Sequence, residues 1–267
     1  MGEGDDGTIR ELPIPHDVYF RKVRSGKMRR VTVALSLMFF LSGAFSLAHA
    51  GQFGTAKIVG KVIFKGERPA EKPIKMDADP KCAEQYPEMP TTKHFVLNED
   101  GTLQNVFVYV KEGITGKYDP PKDAKVILDQ HGCWYSPMVF GIQVGQKLII
   151  RNSDDTLHNV HAMPKENREF NVGMPMKGMQ IKKKFKKPEV MVKFKCDVHP
   201  WMFAYVGVLP HPFFDTTDEN GFEIDRLPAG EYVLEAWHKK LGTVTKKVTL
   251  KEGETKEVEF VMEYKGK

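Results

Sequence analysis

Cysteine is scarce. Three residues in 267 cannot make a disulfide-stapled scaffold, and with no Cys-x-x-Cys or His pair spaced for one a zinc finger is not expected. Long amphipathic helical patterns are also rare, whereas Gly, Pro and β-branched residues are plentiful, which favours β structure. An excess of either charge sign is nearly absent: 40 Lys and Arg against 35 Asp and Glu leave +5. With no basic tail, nucleic acid is not expected as a partner. Neither paired carboxylates nor a nucleophile–base–orienter set stands out, and the chain is not expected to be an enzyme.

Only one long apolar run is present, Val31 to Leu47. It follows Arg29 and Arg30 and ends at the small-x-small site Ala48-His49-Ala50. Residues 28–50 therefore read as a signal segment, with a mature chain from Gly51 and a periplasmic or secreted destination. If the segment is retained, about 20 apolar residues suffice for a membrane anchor. Residues 1–27 read as a leader or an upstream mis-start and are excluded from the fold.

What is present is concentrated in Cys196-Asp197-Val198-His199-Pro200-Trp201-Met202. A thiolate, an imidazole and a thioether lie close enough for one loop to aim all three at one ion. With a second imidazole they form the donor set of a blue-copper site. The stretch from Asn152 to Asn159 offers that imidazole on His158, after the strand-like Lys147–Asn152. The spacing Cys-x-x-His-x-x-Met, with Pro after the His and an aromatic before the Met, resembles the amicyanin loop. The Asn-x-x-x-x-x-His-Asn segment is similar to the first-ligand loop of the plastocyanin and amicyanin group of cupredoxins. The resemblance covers about residues 126–209. It implies a Greek-key β-sandwich, a copper cofactor and the ligands His158, Cys196, His199 and Met202.

Other readings of these residues are weighed against it. A binuclear purple site needs two thiolates in the loop, and only Cys196 is there. A multicopper oxidase flanks its Cys with His, whereas Lys195 and Asp197 flank this one. A red-copper site would need a carboxylate such as Glu166, Glu169 or Asp197 in place of Met202. The plain alternative is a buried Cys with stray His and Met residues. His161 competes with His158, but the two are three apart and a strand would point them to opposite faces. His131 and His238 read as packed or exposed residues rather than ligands. Met174, Met176 and Met179 suit copper(I) as thioethers, but read more naturally as core or as an apolar rim. The lysines from Lys182 to Lys187 suit an acidic partner, but more often protect an edge strand.

The expected class is all-β: a cupredoxin-like Greek-key sandwich over residues 125–210, an additional N-terminal β region over 52–124 packed on it, and a small C-terminal sandwich over 213–267, joined through the rigid Pro210-His211-Pro212. From Thr217 to Met262 the Asp-x-x-Gly-x-Phe start and the Leu-Pro-x-Gly-x-Tyr turn resemble the carboxypeptidase regulatory-like (transthyretin-like) domain, which implies a separable module without chemistry. With Cys196 claimed by the metal, Cys82 and Cys133 are expected to pair as a disulfide in an oxidising compartment. Three functions follow: a one-electron carrier serving an unidentified redox partner protein across Trp201 and Phe203, a copper-delivery protein using the Met run, or a structural β protein that keeps its copper loop.

Overall fold

Alternation of polar and apolar side chains shapes most of this chain. In Thr255–Glu263, Val258, Phe260 and Met262 are buried between exposed Glu257, Glu259 and Glu263, the period-2 signature of a strand with one wet face. The computed structural model describes residues 50–77 and 79–266. The leader and, except for Ala50, the signal segment lie outside them. All described residues fall in one unit, Leu47–Lys267, and the fold is all-β.

In chain order the elements are β1 (Ala56–Lys65), the one-turn helix α1 (Pro80–Ala83), β2 (Phe107–Glu112), β3 (Lys125–His131), β4 (Trp134–Ser136), β5 (Val139–Gln143), β6 (Lys147–Asn152), β7 (His158–Met163) and β8 (Phe170–Met174). They continue with β9 (Gln180–Lys183), β10 (Glu189–Lys195), β11 (Phe203–Leu209), β12 (Phe214–Thr216), β13 (Phe222–Leu227), β14 (Gly230–His238), β15 (Gly242–Leu250) and β16 (Thr255–Glu263). Four sheets result, in the orders β4-β3-β6-β9, β5-β11-β10-β7-β8, β13-β1-β16 and β12-β2-β14-β15. The first two share one core, with Leu128, Leu148 and Ile150 meeting Val160, Phe194 and Val206. The other two share a second core, in which Ile58, Ile224 and Phe260 meet Val108, Leu234 and Val248. The molecule is thus two β-sandwiches.

Strand pairing divides the stretch 52–124 differently from the reading in chain order. Rather than packing on residues 125–210, β1 runs parallel to β16 from Lys57↔Thr255 to Lys65↔Glu263 and antiparallel to β13. Likewise β2 lies between β12 and β14. Only the intervening segment crosses to the other sandwich, where Ile74, Met76 and Cys82 enter its core. The physical cause is backbone pairing. The C-terminal strands β13 and β16 are not neighbours, and without β1 both would present unpaired N–H and C=O groups. Hence the C-terminal part is not a module in itself: β3 to β11 form a sandwich inserted between β2 and β12. The Pro-His-Pro segment is correspondingly no exposed linker, since His211 and Phe213 are buried.

A small third cluster of Phe107, Tyr109, Val139 and Leu209 joins the two sandwiches. Two glycines make room for it. A Cβ on Gly207 would lie 2.2 Å from the Phe107 ring, and one on Gly141 would lie 2.2 Å from Phe214. The lysine-rich β9 is the edge of its sheet, where charge discourages pairing with other chains.

Candidate metal centre

Two segments of the inserted sandwich deliver the site. β10 leads directly into Cys196, the residue after its end, and the loop back to β11 is closed by Cys196 N–H donating to the Met202 carbonyl (3.1 Å) and Met202 N–H donating to the His199 carbonyl (3.0 Å). β7 pairs with β10 through His161↔Lys195, which brings its first residue, His158, beside the loop. Asn152 shapes the approach to His158: its Oδ1 accepts from Asp154 N–H (2.9 Å) and its Nδ2 donates to the Thr156 carbonyl (2.9 Å). Asn159 then ties the segments together, its Oδ1 accepting from Asp197 N–H (2.6 Å) and from Cys196 Sγ (3.3 Å).

The donor atoms of His158, Cys196 and His199 all lie within 4.8 Å of one another, and all three residues are buried. The two Nδ1 atoms are 3.0 Å apart, and Cys196 Sγ is 3.8 Å from His199 Nδ1. Met202 is fully buried in the same core. His161, three residues beyond His158, faces the other way, against Glu169 (2.6 Å) and Asp197 (3.1 Å). That contact also occupies two of the carboxylates a red-copper site would need. His131 is exposed and His238 is buried in the other sandwich. The Met run is scattered: Met174 is in the core with its sulfur accepting from Gln130, Met176 is 66% exposed, and Met179 packs against the core.

Behind each imidazole stands a carboxylate. Asp154 Oδ2 is 2.8 Å from His158 Nε2, and Asp79 Oδ2 is 2.9 Å from His199 Nε2. Such partners fix ring orientation and leave the opposite nitrogen for a metal. Asp154 is itself held by the N–H groups of Gly132 and Cys133 (both 2.8 Å). Those two residues turn the β3–β4 hairpin with positive φ at both positions, the backbone of a type I′ turn. Asp79 caps α1, accepting from Lys81 N–H, and also accepts from Thr156 Oγ1 (2.8 Å). The expected disulfide between Cys82 and Cys133 joins these two supports, with Cα atoms 5.7 Å apart. Cys82 Sγ lies 3.5 Å from His199 Nε2, so α1 and the disulfide cover that face of the imidazole. Trp201 seals another side, 5.1 Å from the His199 ring and donating to the Cys133 carbonyl (3.0 Å).

Two further groupings, Asp79–Cys82–His199 and Cys133–Asp154–His158, bring donor atoms equally close, but the disulfide withdraws both sulfurs. Electrostatics favour a metal thiolate at Cys196. Burial pushes its thiol up, yet hydrogen bonds with His158 and His199 and from backbone N–H groups outweigh this and hold it at about 6. For His158, burial opposes the charged form, but Asp154 and Cys196 prevail and raise its pKa. One thiolate and two imidazole Nδ1 atoms converging in a dry pocket fit copper.

The supporting carboxylates were only partly legible. Asp154 lies in the quoted loop, four residues before His158, whereas Asp79 is 120 residues from His199 and nothing local marks it.

No family model matches the chain, and no curated protein does. Solved structures similar to part of it are cupredoxins. A purple cupredoxin from Nitrosopumilus maritimus is 25% identical over 32% of this chain and 99% of its own, with a TM-score of 0.27. A mutant of amicyanin in the Cu(I) form is 22% identical over 33% of this chain and 85% of its own, with a TM-score of 0.29. A copper-containing nitrite reductase from Thermus scotoductus is 21% identical over 38% of this chain but only 25% of its own, with a TM-score of 0.30. The chemistry rests on the donor set, independently of these likenesses.

Proposed function

We propose that this is an exported protein with one copper ion, held by His158, Cys196, His199 and Met202, that carries single electrons and is not an enzyme. The observation that carries the reading is the convergence of His158, Cys196 and His199 in one buried pocket with a thiol held at about 6. Bound copper would supply a one-electron couple that this N₂S set with a weak thioether suits in both oxidation states. The protein's part is to keep the donors fixed. The short closed loop, the Asn159 tie and the carboxylate behind each imidazole all resist rearrangement, and so favour electron transfer over release of the ion. Delivery through the Met run loses support because Met174 and Met176 lie in opposite environments. The exposed apolar neighbours of the ligands, Leu157 and Val198, are the natural contacts for a redox partner protein. Phe203 is covered by Lys239 instead. Among the described residues no helix is long and apolar enough to cross a membrane. We assign the outer sandwich, the one formed by β1, β2 and β12 to β16, a scaffold role, in keeping with the sequence resemblance of Thr217–Met262 to the carboxypeptidase regulatory-like domain.

The test is the absorption spectrum of the copper-loaded chain. An intense thiolate-to-copper band that bleaches on reduction and returns on oxidation is expected, with copper retained against a copper(I) chelator. Cys196→Ser should abolish the band, and Met202→Leu should shift the potential while keeping the metal. Absence of the band, or loss of copper on reduction, would refute the reading.

A further inference from the structure

Beside the thiolate loop, one cavity of about 360 Å³ gathers positive charge where β10 meets the β14–β15 turn of the outer sandwich. Lys193 and Lys195 are two apart on β10 and so share a face, and Lys239 and Lys240 come from the turn. The Lys239 side chain folds inward, its Nζ 3.5 Å above the Phe203 ring. That Nζ is buried without a hydrogen-bond partner, and so is His94 Nδ1 on the same wall.

The nearby carboxylates are already engaged. Asp197 binds Lys195 at 2.7 Å. Glu71, the acid whose charge acts on Lys239, accepts from the Thr92 hydroxyl and from Phe95 N–H (2.9 Å). Among the described residues Lys193, Lys239 and Lys240 take part in no ion pair. Burial first, and Lys240 second, drive the Lys239 amine down to about 7. An ammonium withdrawn from water without a partner is unfavourable, and a cation–π contact offsets only part of that. Like charges brought together from two sandwiches add repulsion. An anion in the pocket would remove both penalties and give Lys239 Nζ the acceptor it lacks.

We propose that this pocket binds a small oxyanion of the phosphate type, held by Lys239 with Lys193 and Lys240. Lysines suit such a ligand as point charges, and a concave site lined by one sign of charge concentrates its counter-ion. Since Cys196 also lines the pocket, an occupant lies beside the thiolate loop and bridges the two sandwiches.

The test uses the full chain without metal, so its outcome is separate from that of the copper reading. Inorganic phosphate is titrated calorimetrically at pH 6.5 and fixed ionic strength in chloride, with acetate as a second arm. One saturable phosphate site is expected, at least tenfold tighter than acetate. Lys239→Met, whose side chain still covers Phe203, should weaken it at least tenfold, and Lys193→Gln about threefold. Lys246→Gln, on β15 and donating to the Glu259 carbonyl, should leave it unchanged. Circular dichroism checks that each variant is folded. No saturable binding, acetate binding as tightly as phosphate, or unchanged affinity in both Lys239→Met and Lys193→Gln overturns the proposal.

Discussion

Each sandwich buries two histidines, and treats them in opposite ways. In the outer sandwich, His211 and His238 have no carboxylate beside them, and burial drives both down to about 4. In the inserted sandwich, His158 and His199 are at least as buried, yet each has a carboxylate on its Nε2, and His158 moves up instead of down. Burial alone makes a neutral, inert imidazole. The carboxylates do something burial cannot, fixing which nitrogen points inward. The difference separates a histidine used for packing from one aimed at an ion, although both look alike in a list of buried residues.

The largest effect expected from disturbing this pair of sandwiches comes from ending the chain after Leu209. That removes β12 to β16, leaving β1 without β13 and β16 and β2 without β12 and β14. Urea unfolding followed by circular dichroism should show no cooperative transition for the outer sandwich. A fragment that unfolds cooperatively with an unchanged copper spectrum would show that the inserted sandwich is independent after all.

Next in size, replacing Cys82 and Cys133 together with Ser should act on the inserted sandwich. The bridge spans 51 residues, and losing it should cost about 2–5 kcal/mol. α1 should also loosen from His199, so copper affinity should fall along with the unfolding midpoint. An unchanged affinity would mean that α1 is held by packing alone.

The outer sandwich should show its neutral histidines as acid sensitivity. Below pH 6.5 the unfolded chain takes up a proton that folded His238 refuses until about 4. Stability therefore falls as pH falls through this window, by about 2 kcal/mol between pH 7 and pH 5 for this one group. His238→Gln should reduce the slope by one proton, measured as urea midpoint against pH. An unaltered slope would place the titration elsewhere.

The smallest effect tests the carboxylates themselves. Asp154→Asn should weaken copper binding about 10- to 100-fold without bleaching the thiolate band, and Asp79→Asn should do the same from the other side. Competition with a chelator reads both. Equal affinity in wild type and both variants would reduce the carboxylates to packing partners.

The sequence alone specified the local parts. The strand from Lys147 to Asn152 is found at those limits, because a short apolar run opened by a Gly turn and closed by a polar stretch is a property of neighbours. Cys196, His199 and Met202 sit on one short loop because three-residue spacing leaves few other ways to turn, and the pairing of Cys82 with Cys133 followed from there being no other partner. His158 was read as the end of a loop by resemblance, whereas it is the first residue of β7. Three things were left to the tertiary structure: the exchange of β1 and β2 into the C-terminal sandwich, the placing of Asp79 behind His199, and the meeting of Lys193 with Lys239. Each joins residues far apart in the chain, and such contacts are chosen by which backbone edges and apolar faces remain unsatisfied once the strands exist. Local spacing carries no record of that choice.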